Sequence, residues 1–164
     1  MCLAPFFMEQ KKTGVLSITD PRMTRFWITL EQTVEFVLHR LEDMVGGELF
    51  IPKIPSMNIM DLAKAVAPEC KTRTVGIRPG EKLHEVLIPK NEARNTVELK
   101  SHFIIQPQFD FWGKRFIGDG AEPVPDSFEY SSDMNPDFLT VDDMRKLINQ
   151  FQESLEGERN HAHI

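Results

Sequence analysis

The apolar positions of the chain change period several times, and each change marks an element. Residues 5–13 read as the end of a helix closed by Thr13-Gly14, and Val15 to Thr19 then alternates as a short strand. Asp20-Pro21-Arg22 turns the chain into an aromatic, β-rich run from Thr24 to Leu30. From Leu30 the period becomes helical. Leu30, Val34, Val37, Leu38, Leu41 and Val45 share one face, Thr29 and Gln32 form a capping-box pattern, and Gly46-Gly47 stops the helix. Glu48 to Pro52 reads as a buried strand, and Pro52 and Pro55 bracket a loop. Asn58 caps a helix bearing Ile59, Leu62, Ala63 and Val66, which ends at Pro68. Arg73 to Ile77 reads as the next strand, followed by a tight Pro79-Gly80 turn and a short helix. Val97 to Gln106 reads as one further strand.

Beyond that point the pattern loosens. Residues 107–136 are rich in proline and glycine, carry Phe109, Phe111, Trp112 and Phe116, and show no period, which predicts a long irregular loop or arm. Thr140 and Asp143 then cap a last helix carrying Val141, Met144, Leu147, Ile148 and Phe151. Residues 154–164 read as a polar, disordered tail. Strand–helix alternation argues an α/β fold. The segments are thus 1–106, 107–136, 137–153 and 154–164.

Composition narrows the functional classes. The chain has 164 residues, 41% hydrophobic and 27% charged, as expected of an ordinary globular chain of about one domain. The net charge is −6 and no Lys/Arg stripe is interleaved with aromatics, so nucleic acid is not an expected partner. Cys2 and Cys70 lie far apart without a CxxC pattern, as in reduced thiols of a cytoplasmic protein. The short apolar start lacks a basic leader, and no run approaches membrane-spanning length, so no membrane partner is expected. His84-Glu85 begins a zinc-protease pattern, but the second histidine it needs falls on Ile88. His161 and His163 belong to the tail, and no metal site is expected.

The stretch with the most chemistry runs from Gly76 to Glu85. Pro79 and Gly80 suit the two central positions of a type II turn, where only glycine takes φ > 0 cheaply. Such a turn fixes Arg78 and Glu81 on either side of it. A guanidinium forks onto phosphate and a carboxylate accepts from neighbouring hydroxyls, so the pair suits a nucleotide diphosphate and its ribose. A solvated ion pair on a surface turn has the same spacing.

The runs "ITDPRMTRFWITLEQTVEFVL", "GGELFIPKIPSMNIMDLAKAVAP" and "GIRPGEKLHEVLIPKNEARNTVE" resemble the inverting UDP-N-acetylglucosamine 4,6-dehydratases. These are extended short-chain dehydrogenase/reductases of the polysaccharide-biosynthesis branch. The resemblance covers about Pro5 to Ile148 and corresponds to the carboxy-terminal part of the family. It implies a substrate-binding region plus an edge of the Rossmann sheet, with the helix from Leu30 and the strand at Glu48 closing that sheet and the amino-terminal Rossmann half missing. It also implies that Arg25 reaches the nucleotide diphosphate and that Arg78, Pro79, Gly80 and Glu81 hold the phosphates and ribose of a UDP-sugar. For Arg25 the plain alternative is an exposed strand charge.

Catalysis in the family requires NADP on a Gly-rich turn and a Tyr-x-x-x-Lys pair. Neither pattern occurs. The only tyrosine is Tyr130, with Met134 four residues on, and Gly113, Gly118 and Gly120 form no dinucleotide motif. No catalytic residue is therefore assigned, and no cofactor is expected on this chain alone. The implied partners are a UDP-sugar, a separate Rossmann half, and a homo-oligomer in the intact family. Partner-completed split enzyme and non-catalytic binding remnant both remain open.

Overall fold

The computed structural model describes residues 3–109 and 120–161, so Phe111, Trp112, Phe116, Gly113, Gly118 and His163 lie outside the described residues. In chain order the first elements are α1 (Leu3–Lys11), β1 (Val15–Ile18), β2 (Thr24–Phe26), α2 (Leu30–Asp43), β3 (Leu49–Pro52) and β4 (Ser56–Asn58). Then come α3 (Ile59–Val66), β5 (Lys71–Thr74), β6 (Val86–Ile88), a 3-10 turn (Lys90–Asn95), β7 (Thr96–Glu98) and β8 (His102–Ile105). The last are β9 (Glu122–Pro123), β10 (Tyr130–Ser131) and α4 (Val141–His161). They fall into two compact units that cut across the linear segments read from the sequence.

The first unit comprises Met1–Arg25, Ser56–His84 and Asp137–Ile164. β1 and β5 pair in parallel from Val15 opposite Lys71 to Ile18 opposite Thr74. Only β1 turns alternate residues inward, so Leu16 and Ile18 join Phe7, Leu62 and Met144 in the core while all of β5 stays exposed. α3 starts where expected, with the Asn58 side chain accepting the Met60 N–H at 2.8 Å. α4 opens on Thr140 and Asp143, which cap each other's backbone N–H, and Asp143's carboxyl is held below its usual range by hydrogen bonds donated first by the Thr140 hydroxyl and then by the Thr140 N–H. The helix runs on to His161, past the stop at 153 read from the sequence. Strand β5 ends at Thr74 instead of Ile77, because Gly76 sits at φ +88° and breaks the extended run. The short helix expected after Gly80 is absent.

The second unit comprises Phe26–Pro55 and Glu85–Pro136. Its sheet runs β3-β8-β7-β9, antiparallel throughout. The single strand expected over Val97 to Gln106 is a hairpin, closed where Leu99 N–H donates to His102 O at 2.9 Å. Among the described residues β3 pairs only with β8, and it is half-exposed, not buried. Residues 120–136 are less irregular than expected: β9 joins the sheet and β10 pairs with β6. Ile88, Ala93, Phe103, Ile105, Val124 and Tyr130 form the core, with Phe26 packed against it.

α2 carries its capping box, Thr29 with Gln32, as the sequence requires. Yet none of its residues is buried, and Leu30, Leu38 and Leu41 are 75%, 60% and 59% exposed. An apolar stripe at helical spacing normally faces a core. Here it faces solvent.

Candidate functional site

The site is built from the first unit, where β2 residues staple the Pro79-Gly80 loop in place. Thr24 N–H donates to Leu83 O at 3.2 Å, and Thr24 Oγ1 lies 2.8 Å from His84 Nδ1. The Arg25 guanidinium donates from Nη1 to Thr24 O (2.7 Å) and Leu83 O (3.1 Å), and from Nη2 to Lys82 O (3.0 Å). Its side chain is 16% exposed and its Nη2 stands 3.9 Å from Glu81 Oε1. Arg25 thus spends much of its donor fork on loop carbonyls, at Leu83 as a second donor beside the Thr24 N–H.

The turn has the geometry read from the sequence. Glu81 N–H donates to Arg78 O at 3.0 Å, and Gly80 adopts φ +81° after Pro79. Glu81 Oε2 accepts the Arg78 N–H at 3.3 Å, closing the turn a second time. Arg78 is exposed, and no hydrogen bond or ion pair engages its guanidinium among the described residues.

Arg25, Arg78 and Glu81 line one cavity of about 50 Å³, together with Phe6, Phe7, Ser17, Thr19, Met23, Ile59 and Val75. Of the five residues singled out from the sequence, three meet there; Pro79 and Gly80 shape the turn without lining it. Phe6 and Phe7 were legible only as part of a helix end, and nothing in the sequence points to the Lys82 and Leu83 carbonyls as the partners of Arg25. Arg22 stands apart, forking onto Asp20 at 3.0 and 2.7 Å. Those hydrogen bonds hold the Asp20 carboxyl at about 2.

A wider cavity of about 310 Å³ lies in the second unit, lined among others by Phe36, His39, Arg40, Lys53 and Ser101. Its cations are already engaged: Arg40 with Asp43 at 2.7 Å and Lys53 with Glu98 at 2.6 Å. Behind it His102 is 3% exposed and accepts an Arg40 N–H at Nε2, 3.1 Å away. Burial first, then the Arg40 charge, pushes its pKa below 6.5. Unfolding therefore takes up a proton once the pH drops below the ordinary histidine value. Stability should fall from about pH 6.5 downward and level off below the folded pKa, whereas above 6.5 this group adds no slope. Urea melts of wild type and His102→Gln check this: the variant should lose the acid-side slope.

Among the described residues no glycine-rich turn joins a strand to a helix. The junctions from β2 into α2 and from β4 into α3 hold no glycine, and Gly120 leads into β9, not into a helix. The Tyr130 hydroxyl is spent on the backbone, accepting Ile54 N–H and donating to Ile54 O, both at 2.9 Å. Among the described residues no cluster of His, Cys, Asp or Glu is placed to hold a metal ion, and no helix is long and apolar enough to cross a membrane.

Strand–helix alternation and the parallel β1–β5 pair make this a mixed α/β protein, as the resemblance to part of an extended short-chain dehydrogenase/reductase implies. The comparisons agree. The family model described as "Polysaccharide biosynthesis protein" matches residues 2–107, and the chain belongs to that family. It is 44% identical over 155 residues to the UDP-N-acetylglucosamine 4,6-dehydratase (inverting) of Campylobacter jejuni, covering 90% of this chain and 46% of the relative. It is 31% identical over 150 residues to the UDP-glucose 4-epimerase of Rickettsia conorii, covering 88% of this chain and 44% of that one. The X-ray structure of Pen from Bacillus thuringiensis superposes with a TM-score of 0.78 at 28% identity, over 92% of this chain and 46% of Pen. The chain therefore spans about half the length of the proteins it matches.

Proposed function

We propose that this chain is the nucleotide-sugar-binding part of a UDP-N-acetylglucosamine 4,6-dehydratase serving surface polysaccharide or glycan sugar biosynthesis in the cytoplasm. One observation carries the reading: Arg25, remote in sequence from the Arg78–Glu81 turn, lines a single cavity with Arg78 and Glu81. Arg78 presents its guanidinium to the diphosphate. Arg25 holds the loop through its carbonyls and adds a second positive charge. The Pro79-Gly80 turn fixes Arg78 relative to Glu81, which serves the ribose. The two relatives named above act on different UDP-sugars by their names, so the shared UDP is the part such a grip would read.

Titration with UDP and with uridine tests the reading. UDP should bind more tightly, and its affinity should fall as salt rises, because the difference lies in charge-assisted contacts. Equal binding of the two would refute it.

The exposed face of α2 favours a partner-completed enzyme over a stand-alone remnant. An apolar helical stripe in water is an incomplete interface, and the matched proteins carry about as much chain again as this one. We propose that this face receives a Rossmann half, on this polypeptide or on another. NADP would then belong to that half. The chain by itself should yield no 4-keto product from UDP-N-acetylglucosamine and NADP; turnover above a protein-free control contradicts this.

A further inference from the structure

We infer that Glu81 is the site's own anion, an internal competitor that must swing out before a diphosphate can enter. The inference rests on the reading that this cavity takes a nucleotide diphosphate, and it concerns how entry is controlled. One carboxylate oxygen of Glu81 accepts the Arg78 N–H at 3.3 Å, and the other stands 3.9 Å from Arg25 Nη2. A backbone N–H and a guanidinium are the donors that a phosphate oxygen would seek, and a carboxylate satisfies them in the same way. The cavity beside them measures about 50 Å³. That is room for roughly three or four waters and too little for two linked phosphoryl groups.

The carboxylate also sets the charge of the cavity. With Glu81 in place, two guanidiniums and one carboxylate line it; with Glu81 turned away, the incoming anion meets both cations without a like charge beside it. The motion required is small. The Pro79-Gly80 turn is closed by its own backbone bond, Glu81 N–H to Arg78 O at 3.0 Å, so the main chain keeps its place. The Glu81 side chain is 30% exposed and has solvent to turn into, and a change between staggered rotamers moves the carboxylate out. Turned outward, the same carboxylate is free to accept ribose hydroxyls, so the anion that blocks the phosphate position becomes a contact to the nucleotide. Specificity follows: an inorganic anion has to displace Glu81 with no return, whereas a nucleoside diphosphate gives it a new partner.

Inorganic pyrophosphate, which has neither base nor ribose, is the probe that isolates this step. Glu81→Gln keeps an oxygen to accept the Arg78 N–H, so the turn survives while the negative charge goes. Glu69→Gln, which removes a surface carboxylate paired with Lys11, controls for the change in net charge. Calorimetric titration should show Glu81→Gln binding pyrophosphate about tenfold more tightly than wild type, with a steeper loss of affinity on adding salt. Glu69→Gln should match wild type. Unchanged or weaker pyrophosphate binding in Glu81→Gln overturns the inference, and so does an equal gain in Glu69→Gln. The comparison of UDP with uridine reports separately on the parent reading. If UDP outbinds uridine while Glu81→Gln gains nothing, the internal anion falls and the nucleotide site stands. If Glu81→Gln gains pyrophosphate while UDP and uridine bind alike, the internal anion stands and the nucleotide reading falls.

Discussion

Arg78→Ala should weaken UDP binding by about 1.5–3 kcal/mol, roughly tenfold to over a hundredfold in the dissociation constant. The loss should be almost absent for uridine. The Arg78 side chain is exposed and makes no hydrogen bond or ion pair among the described residues, so the folded chain loses little with it. What holds the turn is the Arg78 backbone, which accepts from Glu81 N–H and donates to Glu81 Oε2, and alanine retains both groups. Melting temperature should accordingly stay near that of wild type. Arg25→Ala is expected to behave differently: it removes the guanidinium ties to the carbonyls of Lys82 and Leu83, leaving Leu83 only its bond from Thr24 N–H, and should lower stability together with affinity. Calorimetry and thermal melts on the two variants separate the charge that meets the ligand from the charge that holds the loop. A similar stability loss for both would remove that distinction.

The second large effect concerns α2. Leu38 and Leu41 are 60% and 59% exposed on the same helix face as Leu30, Val34 and Val37. Apolar side chains grouped in this way drive association when no partner covers them. The purified chain should therefore be associated at micromolar concentrations, and Leu38→Glu with Leu41→Glu should return it to monomer without loss of helix. The helix start does not depend on those positions, because Thr29 and Gln32 satisfy its first N–H groups. Light scattering after size exclusion gives the answer. A wild-type chain that is already a monodisperse monomer would mean that the face has no appetite for a partner.

Local chemistry was the part of this fold most legible in the sequence. The capping boxes at Thr29 and Thr140, the Asn58 cap and the Pro79-Gly80 turn each depend on a few adjacent side chains, and each stands where the pattern put it. Burial was less legible. The stripe on α2 has the spacing of a core helix, and the strand at Leu49–Pro52 has the composition of a buried one, but both lie open, because spacing and composition do not say whether anything packs over a face. Within His102–Ile105 and Thr96–Glu98 the β-rich composition was visible while the reversal at Leu99 was not, since no glycine or proline marks it. For the site, the resemblance pointed to Arg25 and Arg78 together. The role of Arg25 as a tie to the Lys82 and Leu83 carbonyls was beyond the sequence, because any residue offers a carbonyl and only the fold says which ones converge.

The central claim, that the cavity under the Pro79-Gly80 turn grips a nucleotide diphosphate, is tested most directly by following backbone amide resonances of the chain during a UDP titration. The expected result is that shifts concentrate on Arg25 and on Arg78 through Leu83, with the Arg78 amide moving most as its bond to Glu81 is exchanged for one to phosphate. Shifts confined to the cavity lined by Phe36, His39 and Arg40, or none at saturating UDP, would contradict it.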